Sequence, residues 1–113
     1  GAVSGQWYRE TGSGMGATLN TASGMGAYVL SDRATWISFT NKRDLRILLE
    51  GDKRLFNQYG VIRVSERRHA HVKAGAAQEF VDWLLSAQGQ STIAAFRLGG
   101  QQLFTPNAPK VEN

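Results

Sequence analysis

The sequence contains no cysteine, which excludes disulfide bonds, thiolate nucleophiles and metal sites ligated by cysteine. It also lacks any apolar run near the roughly 18 residues that a membrane-spanning helix requires. Proline is scarce, and its two copies, Pro106 and Pro109, stand near the end, where they stop regular structure. Of the 113 residues, 42% are apolar and 19% are charged. This composition is typical of a globular chain rather than a disordered one.

Positive charge is unevenly distributed. The net charge is +4, and nine of the 13 lysines and arginines lie between Lys42 and Lys73. A basic excess favours an anionic partner such as nucleic acid, a membrane surface or a small oxyanion, but a solvated face explains it equally well. Phe56 and Tyr59 could stack on bases, so a nucleic-acid-binding module is one hypothesis, although the stretch contains no recognisable nucleic-acid motif.

The pattern of apolar residues and turn formers predicts helices that alternate with strands. A helix is expected from Ser13 or Gly14 to Gly24 or Gly26, and others at residues 33–40, 74–87 and 88–96. Strands are expected at residues 27–30, 45–50 and 59–64. This alternation indicates an α/β fold with at least a partly parallel sheet.

A glycine-rich segment leads directly into the first predicted helix. The first amide groups of a helix have no partners within the helix and lie at the positive end of its dipole. Glycine allows a ligand to approach them closely, so the segment is a candidate anion pocket. A turn that serves only chain geometry is the plainer interpretation. Arg33 is a second candidate, because α/β folds place ligand contacts after strand ends. The candidate ligand-binding residues are Ser13, Gly14, Met15, Gly16 and Arg33.

The same glycines also fit a dinucleotide-binding fingerprint. Gly12, Gly14 and Ala17 have its spacing, and Asp32 follows where a ribose-binding acid should lie. The fingerprint also requires an apolar strand before the glycines, and the polar lead SGQWYRET does not provide one. We therefore treat this alternative as the weaker one.

The sequence offers few candidate residues for a catalytic or metal-binding site. His69 and His71 are two residues apart, but two histidines without a third ligand make a poor metal site. No set of residues supplies a nucleophile, a base and an orienting group. We expect a protein that is not an enzyme and has no cofactor or bound metal.

Several motifs together resemble a known family. The patterns YxETGxGMGxTL, YxL[ST]DRxT and LEGD…LxNxYxVI occur in order and cover nearly all of the chain from Trp7 onward. The chain thereby resembles the C-terminal part of the tungstate-binding proteins of ABC transporters, which belong to the type II periplasmic binding proteins.

The resemblance implies a solute receptor that closes two α/β lobes over its ligand and delivers it to a membrane permease. It implies a periplasmic or extracellular location and a tetrahedral oxyanion ligand, tungstate with molybdate as competitor, held mainly by neutral donors at Ser13 to Gly16 and by Arg33. A ligand-sensing domain of a transcription regulator would have the same fold and is the alternative.

Two motifs of the resembled family, a Thr/Ser-rich segment and an Asp-Ser-Gly-Thr segment, are absent from this sequence. We therefore expect residues 1–113 to form a single incomplete unit, with residues 7–50 in the second lobe and residues 51–113 returning to the first. Because apolar helix faces would otherwise be exposed, we expect self-association or pairing with the missing N-terminal half.

Overall fold

The computed structural model describes residues 5–109. The chain divides between Leu55 and Phe56 into two compact units. The first unit contains helices α1 (Met15–Met25) and α2 (Arg33–Ser38) and the short 3-10 helix Lys53–Leu55. The second contains helices α3 (Ala74–Leu85) and α4 (Ala87–Ala95) and strands β1 (Arg97–Leu98) and β2 (Gln101–Gln102). The assignment of residues 7–50 and 51–113 to two lobes stays a prediction.

Glycine residues cap helix α1 at both ends. Gly14 is the N-cap with an extended backbone, and Gly26 is the C-cap with a φ of 62°, the left-handed conformation that favours glycine. The amides of Gly26 and Ala27 both donate to the carbonyl of Ala22, which closes the helix. Leu19 is fully buried and anchors the inner face of the helix. The predicted first helix is therefore confirmed.

Helix α2 packs against α1 and is capped by Asp32. The Asp32 Oδ2 atom accepts hydrogen bonds from the amide of Thr35 at 2.9 Å and from its Oγ1 at 2.8 Å. Beyond α2, the buried Ser23 hydroxyl of α1 donates to the carbonyl of Asn41 at 2.7 Å. The bond from Ser23 holds the segment that follows α2 against α1. The predicted second helix is confirmed.

Replacing the cap should measurably weaken the first unit. Asp32→Ala removes both bonds to Thr35 and is expected to lower the free energy of unfolding by about 1 kcal/mol. Asp32→Asn keeps an equally good cap and should change the free energy of unfolding little. Thermal unfolding followed by circular dichroism compares the two variants, and equal melting temperatures would contradict a stabilising role for the cap.

In the second unit, helices α3 and α4 pack against each other across a single capping residue. Ser86 ends α3 and begins α4, where its hydroxyl accepts from the amide of Gly89 at 3.1 Å. A Cβ at Gly89 would lie 2.0 Å from the carbonyl oxygen of Trp83, so only glycine permits this tight turn. Both predicted helices are confirmed.

A short antiparallel hairpin, which the sequence did not predict, follows α4. Arg97 pairs with Gln102, and Leu98 pairs with Gln101. Gly99 and Gly100 have φ values of 57° and 77°, as the two central residues of a tight hairpin turn require. Beyond the hairpin, Phe104 contacts the ring of Tyr59 edge to face at 5.5 Å.

The three predicted strands are not formed. Residues 27–30, 45–50 and 59–64 are neither helix nor strand, and most of their apolar side chains are exposed, Tyr28 at 92% and Ile62 at 90%. Their composition favours strands, but a strand exists only with a hydrogen-bonded neighbour. Within residues 5–109 the hairpin contains the only paired strands. The predictions of strands at these three segments are therefore wrong, and no parallel sheet is formed among residues 5–109.

Asp52 organises the 3-10 helix in the basic stretch. Its Oδ1 accepts from the Arg54 amide at 2.8 Å and from Nε at 3.0 Å, and its Oδ2 accepts from Nη2 at 2.7 Å. The Arg54 side chain first, and its backbone amide second, hold the pKa of Asp52 below its ordinary value. The same pairing raises the pKa of Arg54.

The depressed pKa fixes the direction of a pH effect. Because the folded pKa of Asp52 lies below the unfolded one, the pairing stabilises the turn above the unfolded pKa and is lost as pH falls through the folded one. Both side chains contact solvent, so the effect on global stability is small. In an NMR titration, Arg54→Ala should raise the pKa of Asp52 toward its ordinary value. An unchanged pKa would contradict the assigned cause.

Candidate anion-binding site

The first turn of α1 presents amide donors that the protein does not use. The first helical bond runs from the amide of Thr18 to the carbonyl of Gly14, and the N-cap Gly14 makes no side-chain capping bond. Within residues 5–109, the amides of Met15, Gly16 and Ala17 therefore have no acceptor. Three neighbouring donors at the positive end of a helix dipole are an arrangement that suits a small anion, so the turn stays a candidate site.

The glycines beside these donors are not packed against other parts of the described chain. A Cβ placed on Gly12, Gly14 or Gly16 would meet no atom within 4 Å. Packing therefore does not require glycine at position 14 or 16, whereas the φ of 60° favours it at Gly12. Ser13 is exposed, and its hydroxyl is not used as a cap.

A pair of threonines that the sequence analysis did not single out holds the approach to α1. The hydroxyls of Thr11 and Thr18 lie 2.6 Å apart, and Thr18 Oγ1 also donates to the carbonyl of Ser13 at 3.5 Å. These bonds join the chain before the helix to its first turn. The sequence carried a signal only for the backbone bond of Thr18, since threonine hydroxyls often bond nearby backbone, and none for the contact with Thr11.

Arg33 is the first residue of α2, not part of the α1 turn. Its Nη1 lies 3.5 Å from Oε2 of Glu50, and the side chains of Arg33 and Glu50 are 56% and 66% exposed. A surface ion pair at this distance contributes little stability and breaks readily. Its role as a ligand contact stays a prediction.

The dinucleotide alternative loses its support. The Asp32 carboxylate is committed to capping α2 through Thr35, so it does not stand ready for a ribose hydroxyl. The described part of the chain before Gly12 forms no strand.

The two histidines do not form a metal site. The rings of His69 and His71 contact each other edge to face with centroids 6.2 Å apart. Among the described residues, no group of three or more histidine, aspartate or glutamate side chains is arranged to hold a metal ion.

None of the helices described is both long and apolar enough to span a bilayer.

Comparison with known proteins decides the family. A family model described as a PBP superfamily domain, that of the periplasmic binding proteins, matches residues 1–88. This chain belongs to the PBP superfamily. The fold class predicted from the motifs, part of a periplasmic-binding-protein α/β fold, is confirmed, although the sheet is not completed within these residues.

Individual relatives of this PBP-superfamily chain are binding proteins by name. It is 42% identical over 108 residues to the tungstate-binding protein TupA of Peptoclostridium acidaminophilum, which matches 94% of this chain. It is 42% identical over 110 residues to a putative ABC transporter anion-binding protein of Haloferax volcanii, which matches 93%. A solved structure, the tungstate-binding protein TupA of Desulfovibrio alaskensis G20, is similar over 92% of this chain with 45% identity and a TM-score of 0.68.

The resemblance inferred from the motifs is thus confirmed. The chain spans 38% and 32% of the two curated relatives and 43% of the solved structure. All three are named for binding rather than for catalysis.

Proposed function

We propose that this chain is part of the substrate-binding component of an ABC transporter that takes up a tetrahedral oxyanion, tungstate with molybdate as its competitor. Two of its relatives are named for tungstate and a third for anion binding in an ABC transporter. The partners would be the oxyanion and the membrane permease, and the location would be periplasmic or extracellular. The protein would bind and deliver its ligand without chemical conversion and without a cofactor.

The observation that supports this proposal most strongly is the set of free amides at Met15, Gly16 and Ala17. A tetrahedral dianion has several acceptor oxygens within a few ångströms, so neighbouring oxygens can accept from neighbouring amides. Hydrogen bonds to charged groups contribute about 1.5–3 kcal/mol each. The dipole of α1 adds a favourable field without requiring a lysine or arginine in its first turn.

Arg33 would supply the positive charge that the amides lack. Its guanidinium donates in a planar fork that suits an oxyanion. To do so it would leave Glu50, with which it forms an exposed pair at 3.5 Å. In the proposed mechanism, the α1 turn provides orientation and Arg33 provides a charge-assisted contact.

Isothermal titration of the chain with tungstate, molybdate and sulfate tests the proposal. We expect saturable binding of one tungstate, competition by molybdate and weaker binding of sulfate. Arg33→Ala should weaken tungstate binding at least tenfold, whereas Arg46→Ala, which removes an exposed arginine of the same unit, should not. Absence of heat and of thermal stabilisation with all three anions would contradict the proposal.

A further inference from the structure

The turn that precedes α3 carries positive charge that no acid offsets. Residues 67–73, which we call the basic turn, contain three exposed cations, Arg67, Arg68 and Lys73, and no aspartate or glutamate. In the described part of the chain, none of the three forms an ion pair. The adjoining acid, Glu66, pairs with a different arginine at 3.5 Å. The basic turn therefore keeps its full positive charge at the surface.

Backbone hydrogen bonds gather these cations into one patch. The amides of Arg68 and His69 donate to the carbonyl of Ser65 at 3.2 and 3.0 Å, and the amide of Val72 donates to the carbonyl of His69 at 3.1 Å. A fully extended chain of seven residues would span about 25 Å. Because these turns make the segment shorter than that, the cations act as one local patch of charge.

The position of the basic turn is unfavourable for α3. Lys73 is the N-cap of α3, it makes no side-chain capping bond, and the first turn of the helix contains no acid. Negative charge and a serine, threonine, aspartate or asparagine cap stabilise this end of a helix, so a lysine is unfavourable on both counts. Proteins break such local rules mainly at functional sites. The arrangement indicates that the positive charge is kept for a partner.

The composition of the basic turn favours an anionic surface over single-stranded nucleic acid. Proteins that bind single strands combine basic groups with aromatic side chains on which the bases stack. The basic turn contains no phenylalanine, tyrosine or tryptophan, and the rings of its two histidines contact each other with centroids 6.2 Å apart. Attraction to anionic lipid headgroups requires no stacking, since it depends on the charge of the whole surface.

We propose that the basic turn, through Arg67, Arg68 and Lys73, docks the protein on the anionic headgroups of a membrane surface. This proposal rests on the proposed function only in placing the protein beside a membrane, and it involves none of the residues of the candidate anion site. Each lysine or arginine near an anionic lipid surface strengthens binding about fivefold, so three together strengthen it about a hundredfold. Docking of this kind raises the local concentration of the protein at the membrane.

Sedimentation of the chain with lipid vesicles tests the proposal. At low ionic strength we expect at least tenfold stronger binding to vesicles of phosphatidylcholine and phosphatidylglycerol in equal parts than to phosphatidylcholine alone, and added salt should abolish the difference. Arg67→Gln/Arg68→Gln should weaken binding to the anionic vesicles at least tenfold. Arg46→Gln/Lys53→Gln is the matched control, because it removes the same charge from exposed residues outside the basic turn, and it should weaken binding less than threefold.

Two competitors separate the lipid surface from other anionic partners. Inorganic phosphate should displace the chain from anionic vesicles no better than sodium chloride of equal ionic strength. A single-stranded oligonucleotide should displace it less well than phosphatidylglycerol vesicles of equal total charge. Specific displacement by phosphate, or stronger displacement by the oligonucleotide, would overturn the proposal, as would equal binding to neutral and anionic vesicles.

Tungstate titration of the same variants keeps this proposal separate from the proposed function. Both double variants should retain the helix content of the unsubstituted chain in circular dichroism, since all four substituted residues are exposed. Both should also bind tungstate as the unsubstituted chain does. Loss of vesicle binding with tungstate binding intact supports a separate docking surface, whereas loss of both in Arg67→Gln/Arg68→Gln would overturn it.

Discussion

Met15→Pro is expected to weaken tungstate binding about 10- to 100-fold while leaving α1 folded, because it removes one amide donor and little else. Met15 is the first helical residue, where proline is well tolerated and where the lost amide has no partner in the protein. The preceding Gly14 has φ −64° and ψ 167°, a conformation that a following proline favours. The substitution thus separates ligand binding from folding.

Met15→Ala is the matched control, since it also removes the methionine thioether chain but keeps the amide. Calorimetry should show nearly native tungstate affinity for the alanine variant, and circular dichroism should show native helix content for both. Equal affinities of the proline and alanine variants would mean that the Met15 amide does not contact the anion.

Leu19→Ala is expected to have the largest effect on stability, a loss of about 2–5 kcal/mol. Leu19 is the only large side chain that is fully buried in the described part of the chain, and the other buried apolar residues there are Ala22 and Phe39. The first unit has little other buried apolar area, so a loss of this size should unfold α1 and with it the anion site.

Met25→Ala tests the same helix at an exposed position, 58% accessible, and should change stability by less than about 0.5 kcal/mol. Urea unfolding followed by far-ultraviolet circular dichroism measures both variants. Similar unfolding midpoints for the two would show that Leu19 does not anchor the unit.

The helices of this chain could be predicted because local signals determine them. Gly14 and Gly26 bound α1, Asp32 caps α2, and Ser86 separates α3 from α4. Capping depends on residues within one turn, so the sequence alone was sufficient. The hairpin at Gly99 and Gly100 was missed because two-residue strands leave almost no periodic pattern.

The strand predictions were wrong because strands depend on distant rather than local signals. Residues 27–30, 45–50 and 59–64 have the composition of strands, but strand pairing depends on partners distant in sequence, and the described residues supply none for them. The features of the candidate site also separate into those set by local sequence and those set by contacts between distant residues. The Ser13 to Gly16 turn followed from local rules, whereas the Thr11 to Thr18 contact and the pairing of Arg33 with Glu50 needed coordinates.

The most direct test of the central claim follows the backbone amides of Met15, Gly16 and Ala17 by NMR while tungstate is added. We expect these resonances to show the largest downfield shifts in the chain, saturating together, because an amide that gains a charged acceptor is deshielded. Shifts confined to the basic stretch between residues 42 and 73, with the three amides unmoved, would contradict the account.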